Sequence, residues 1–97
     1  MLTSKQRAYL KSLANGIDTI LIIGKGDISD EIIKQACDAI NKRELIKGKV
    51  LESSSLTAEQ TAQDIAQRIN AQVVQVIGSK FILYKMNEKE PKIVLPR

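Results

Sequence analysis

The sequence predicts one α/β domain of two layers, with elements in the order α-β-α-β-α-β-β around a four-stranded mixed sheet. Three observations point there. At 97 residues the chain has the size of a single domain with a single core. Segments with apolar residues at helical spacing alternate with short β-branched runs, the pattern of strands joined through helices. The last two β-rich runs, residues 73–77 and 80–86, are separated only by Gly78-Ser79, which closes the sheet with an antiparallel hairpin. Right-handed crossovers then set the second and third helices on one face of the sheet.

The first helix spans residues 3–15. Thr3-Ser4-Lys5-Gln6 fits a capping box, Leu10, Leu13 and Ala14 form its apolar stripe beside Tyr9, and Asn15-Gly16 offers a left-handed stop. Lys5, Arg7 and Lys11 fall on its other sides. Residues 19–23 are bulky and mostly β-branched, which suits a buried strand. Gly24 and Gly26 bracket Lys25 in the turn that follows. Ser29 then caps a helix over 30–43 whose first turn carries Asp30 and Glu31. Ile32, Ile33, Ala36, Cys37 and Ile40 share one face of that helix, and Lys34, Gln35, Asp38, Asn41 and Lys42 the other.

Residues 45–52 read as the second strand. Leu45, Lys47, Lys49 and Leu51 lie on one side and Ile46, Gly48, Val50 and Glu52 on the other, an imperfect alternation. After a serine loop, Thr57-Ala58-Glu59-Gln60 forms another capping box. The helix it opens runs to about residue 70, with Ala62, Ile65, Ala66 and Ile69 as its core stripe. Residues 1–86 are expected to form the folded core and 87–97 a charged tail, in which residues 93–95 could add a short edge strand.

Composition narrows the chemistry. Histidine is absent and Cys37 is the only cysteine, so there is no His base, no Ser-His or Cys-His pair, no zinc cluster and no disulfide. Cys37 sits among apolar helix positions and reads as an inert buried thiol. No carboxylates are paired for acid/base work, so we expect no enzyme, metal, cofactor or small-molecule substrate. No apolar run approaches the ~18 residues of a membrane helix, and the expectation is a cytoplasmic protein without membrane contact. The net charge of +4 leans towards a polyanionic partner. Residues 1–49 hold nine of the fifteen Lys and Arg against six acids, and residues 50–97 hold six against five. The basic surface is therefore expected from the N-terminal half.

The turn after the first strand is the candidate site. A strand feeding a helix through glycines gathers free backbone N–H groups and the positive end of a helix dipole, which attract phosphate. Neither GxGxxG nor GxxxxGK[ST] is present, which argues against nucleotide hydrolysis. Gly24-Lys25-Gly26-Asp27 resembles instead the GXXG element with which KH domains hold a nucleic-acid backbone, with Asp27 in the fourth place.

A wider pattern extends this. LTSKQRAYLKSLA, IIGKGDISDEIIKQACDAI, ELIKGKVL, VVQVIGSKFILYK and a terminal LPR together resemble the CRM family, the chloroplast RNA splicing and ribosome maturation domains with their stand-alone bacterial YhbY-like members. The resemblance implies a fold similar to the C-terminal domain of translation initiation factor three. It also implies RNA binding and an association with the precursor of the large ribosomal subunit. The family's G-K-x-G loop is matched by Gly24, Lys25 and Gly26. Asp27 replaces the final glycine, and Gly48 stands where a β-branched residue is usual.

The expected function is non-catalytic binding of ribosomal RNA in ribosome assembly. The RNA-binding site is expected to comprise Gly24, Lys25, Gly26 and Asp27, with phosphate contacts from the Gly24–Gly26 backbone and Lys25. Lys34 lies one turn along the helix, and Lys5, Arg7, Lys42, Arg43 and Lys47 add to the basic surface. On the sequence alone, glycine at position 27 would tighten binding by removing a negative charge. Phe81 and Tyr84 are three apart on a strand and face opposite sides, so they form no stacking platform. The alternative is a protein-interaction module docking a ribosomal protein or another assembly factor.

Overall fold

Side-chain caps decide where each helix begins. The computed structural model describes residues 2–96. In α1 (Ser4–Ala14), Thr3 Oγ1 accepts the Gln6 N–H at 3.1 Å and Gln6 Oε1 accepts the Thr3 N–H at 3.1 Å. Thr57 and Gln60 repeat the exchange at 3.1 and 3.0 Å to open α3 (Ala58–Ile69). Ser29 opens α2 (Asp30–Arg43) by accepting the Ile32 N–H at 3.2 Å. The end of α1 departs from expectation. Asn15 stays right-handed at φ −63° and Gly16 has no positive φ. The N–H groups of Asn15, Gly16 and Ile17 instead reach back three residues to Ser12, Leu13 and Ala14, so a tightened 3₁₀-like turn closes the helix.

The strands β1 (Thr19–Ile23), β2 (Leu45–Val50), β3 (Gln72–Ile77) and β4 (Lys80–Tyr84) form one sheet in the order β1-β2-β4-β3. β1 and β2 run parallel, and β4 is antiparallel to both β2 and β3. Element order and mixed sheet are as the sequence predicts. The layering is not. Leu21, Ile23, Ile46, Val50, Phe81 and Leu83 pack against α2 and α3 on one face. Leu45, Val74, Ile82 and Tyr84 pack against Leu10 and Ala14 of α1 on the other. The sheet is the middle of three layers because β4 is apolar on both sides, and a strand of that kind needs cover on both. The same double cover accounts for the imperfect alternation of β2. Leu45 lies under α1, while Ile46 and Val50 face α2 and α3.

At the centre of the sheet Gly48 pairs with Phe81. A Cβ on Gly48 would collide with Cζ, Cε1 and Cε2 at the tip of the Phe81 ring, so the ring occupies the space a side chain would need.

Glu44 joins α2 to β2 in a left-handed conformation, φ 64°, and is fully buried. Its carboxylate accepts the N–H groups of Asn87 at 2.7 Å, Lys92 at 2.5 Å and Ile93 at 2.7 Å, and its own carbonyl accepts that of Lys85 at 2.9 Å. The segment after β4 is therefore fastened down, with Ile93 and Leu95 against the α1 cluster. No edge strand forms over 93–95, and the Lys92 and Ile93 N–H groups go to Glu44 instead. Burial alone would raise the Glu44 carboxyl. The three N–H donors and the Lys92 charge outweigh it and hold the group below the ordinary glutamate value.

Gly48→Val should lower stability by about 1–3 kcal/mol or more through overpacking, and Phe81→Leu in the same chain should recover part of that loss. A double-mutant cycle read by thermal melting checks it, and simple additivity would refute the clash. Because the folded pKa of Glu44 lies below its unfolded one, its contribution is complete above the ordinary glutamate range and disappears as pH falls through the depressed value. Melting temperatures measured from neutral to acid pH should drop across that window, and Glu44→Gln should drop less there after starting lower at neutral pH.

Candidate functional site

Because β1 and β2 are parallel, both end at the same edge of the sheet. There the Leu51 N–H bonds the Ile23 carbonyl at 2.8 Å. The chain leaves β1 through Gly24-Lys25-Gly26-Asp27, closed as a β-turn by the Asp27 N–H on the Gly24 carbonyl at 2.9 Å. Lys25 and Gly26 are exposed at its tip. Their N–H groups have no partner among the described residues. The acidic first turn of α2, Asp30 and Glu31, already complements the dipole at that helix end. An anion here would be drawn by the turn's N–H groups and by lysine, with little left to the helix itself.

Asp27 has a different role from the one its charge suggests. It is left-handed at φ 50°. Its Oδ1 accepts Ser54 Oγ at 2.6 Å and the Ser55 N–H at 2.9 Å, and its Oδ2 accepts Ser55 Oγ at 2.6 Å. The Ser54 hydroxyl, then the two Ser55 donors, hold the carboxyl below the ordinary aspartate value. The carboxylate is thus turned into the loop between β2 and α3, and it ties the glycine turn to that loop. Ser54 and Ser55 escaped the sequence reading, since three consecutive serines signal only a loop.

The two glycines of the turn differ. A Cβ on Gly24 would sit 3.3 Å from Ser53 Oγ and 3.5 Å from Leu51 Cδ1, against the neighbouring loop. Gly26 has neither a positive φ nor any atom within 4 Å of where its Cβ would be. The fold itself has no use for glycine at position 26.

The remaining candidates do not converge on this turn. Lys34 is exposed on α2 one turn beyond its start. Lys42 and Arg43 are exposed at the far end of that helix, about 12–14 Å further along at 1.5 Å per residue. Lys5 is exposed on α1, which covers the opposite face of the sheet. Arg7 Nη1 donates to the Val73 and Val74 carbonyls at 2.6 and 2.9 Å and pins α1 over the irregularity in β3. Lys47 Nζ donates to the Ala14 carbonyl at 3.1 Å, at the C-terminal end of α1. Among the described residues no three or more His, Cys, Asp or Glu side chains gather as a metal site, and no helix is long and apolar enough to cross a membrane.

Comparison with known proteins gives a consistent answer. Residues 2–85 match the CRS1 / YhbY (CRM) domain family. The chain is 38% identical to "Probable RNA-binding protein YqeI" of Bacillus subtilis, over 99% of this chain and 100% of that one. It is 33% identical to "RNA-binding protein" of Haemophilus influenzae, over 99% and 96% of the two chains. The solution structure of the hypothetical protein SAV1595 from Staphylococcus aureus superposes with a TM-score of 0.78 at 39% identity, covering 99% of this chain and 100% of that one.

The hydrogen bonds of Asp27 set its expected behaviour. Asp27→Ala, and equally Asp27→Gly, should release the Ser55 amide from its acceptor and speed its hydrogen exchange well beyond any change in the sheet. Exchange of Ser55 at the parent rate would show that the latch does not form in solution. With the folded pKa depressed, the latch is complete above the ordinary aspartate range and is lost as pH falls through the lowered value.

Proposed function

The chain belongs to the CRS1 / YhbY (CRM) domain family, and from that premise we propose that it is a non-catalytic RNA-binding protein of ribosome assembly, acting on ribosomal RNA in the precursor of the large subunit. The observation that carries the RNA reading is Gly26. Neither backbone conformation nor packing calls for glycine there, whereas close approach of a sugar-phosphate backbone to the turn does. Lys25 supplies the neighbouring charge, and Lys34 extends it along α2. Lys5, Lys42 and Arg43 widen the positive field. Arg7 and Lys47 act mainly by holding α1 in place.

The names of the relatives support RNA as the partner. The ribosomal step rests on the family resemblance. Recognition runs through backbone and shape. Phe81 and Tyr84 are 0% and 2% exposed and belong to clusters on opposite faces of the sheet, so neither can stack a base.

Gly26→Ala and Lys25→Glu are the direct test, with binding to a labelled RNA hairpin measured at moderate salt. Both should melt as the parent does, since neither residue is packed. Lys25→Glu should weaken binding about tenfold or more, because attraction to phosphate becomes repulsion. Gly26→Ala should weaken it several-fold at unchanged salt dependence. Parent affinity in both variants would remove the turn from the interface. Co-sedimentation with large-subunit precursors tests the ribosomal step separately.

A further inference from the structure

One row of directly paired residues crosses all four strands at the end of the sheet where β1 and β2 stop. It reads Ile22 on β1, Lys49 on β2, Lys80 on β4 and Ile77 on β3. Paired residues point to a common face, and Lys49 shares its side of β2 with Lys47 and Leu45, so this is the α1 face. α1 does not reach it. Its buried Leu10 and Ala14 cover Leu45, Val74, Ile82 and Tyr84, and the helix ends at Ala14. Beyond that cover Ile22 is 56% and Ile77 60% exposed, Lys80 is exposed and Lys49 half-buried.

Two features of the row are unfavourable in the protein alone. Lys49 and Lys80 are direct cross-strand partners, and like charges so placed repel. No carboxylate relieves them, since the one ion pair among the described residues is Arg68–Asp64. The next row inwards, Thr19, Lys47, Ile82 and Gln75, adds a third lysine and no acid. In addition, two large aliphatic side chains bracket the lysines in solvent. The row spans about 14 Å at the usual strand spacing. It adjoins the glycine turn, which begins one residue after Ile23.

We propose that this row is a second RNA-contact surface, continuous with the turn, in which Lys49 and Lys80 neutralise neighbouring phosphates and Ile22 and Ile77 pack against sugars and base faces. It rests on the RNA-binding reading above. A polyanion removes the repulsion between the lysines. A protein partner would have to bury two facing ammonium groups, and interface cores are depleted in lysine.

The test compares the parent, Lys25→Glu, Lys49→Gln/Lys80→Gln and Ile22→Ser/Ile77→Ser for binding to a labelled oligouridylate and a labelled RNA hairpin across a salt series. Lys49→Gln/Lys80→Gln should melt at or above the parent temperature while binding about tenfold more weakly at moderate salt, with a log–log salt slope shallower by about 1.4 to 1.8. Ile22→Ser/Ile77→Ser should weaken binding at every salt concentration without altering the slope. If the parent binds RNA and Lys25→Glu disrupts it while both row variants keep parent affinity and slope, the row is not an RNA surface and the turn stands alone. If the row variants lose only a ribosomal protein, the surface belongs to a protein and the inference is overturned. If the parent binds neither RNA, the RNA reading itself fails and the row falls with it.

Discussion

The ring of Phe81 lying over Gly48 is the constraint on which the rest of the molecule depends. These two residues pair on β2 and β4, the central strands of the sheet. The empty Cβ position lets an aromatic ring fill the core beneath α2 and α3, where a β-branched residue would have filled it from the other strand. A slip of one residue would exchange the two faces of β2 and set Lys47 or Lys49, in place of Gly48, against the ring. With the register held, Val50 donates to the Ser79 carbonyl, Leu51 donates to that of Ile23, and Lys49 is brought opposite Lys80. The facing lysines are a consequence of that alignment.

Charged side chains divide into those bound by the fold and those left to solvent. Glu44 and Asp27, both left-handed, turn their carboxylates onto N–H and hydroxyl donors, one fastening the segment after β4 and the other the loop before α3. Arg7 and Lys47 are similarly committed to backbone carbonyls around α1. With Asp27 engaged in this way, the turn presents Lys25 and unpartnered N–H groups, and its own carboxylate does not compete for them. Lys25, Lys49 and Lys80 then stand together at one end of the sheet without an ion-pair partner among the described residues. Net charge counts all of these side chains alike, and only their hydrogen bonds separate them.

The seven elements were legible because each carried a local signal. The Thr3–Gln6 and Thr57–Gln60 capping boxes, the Gly78-Ser79 hairpin and the isoleucine spacing of α2 all act within a few residues of themselves. What could not be read is what pairs distant positions. Gly48 looked like a weakened strand because Phe81 lies 33 residues away in the chain. Asp27 looked like a misplaced charge because its partners are Ser54 and Ser55. The segment after residue 86 looked loose because Glu44, its anchor, lies 43 residues from Asn87 in the chain. Lys49 and Lys80 were passed over because only the strand order sets them side by side.

The central claim is that RNA is held by its backbone at the end of the sheet where β1 and β2 stop. Titration of isotope-labelled protein with an RNA hairpin, followed by amide chemical shifts, tests it most directly. Shifts should concentrate on Lys25, Gly26 and the strand positions Ile22, Lys49 and Lys80, and should fade as salt is raised. Shifts centred on α1 and on residues 87–96, or shifts indifferent to salt, would contradict the account.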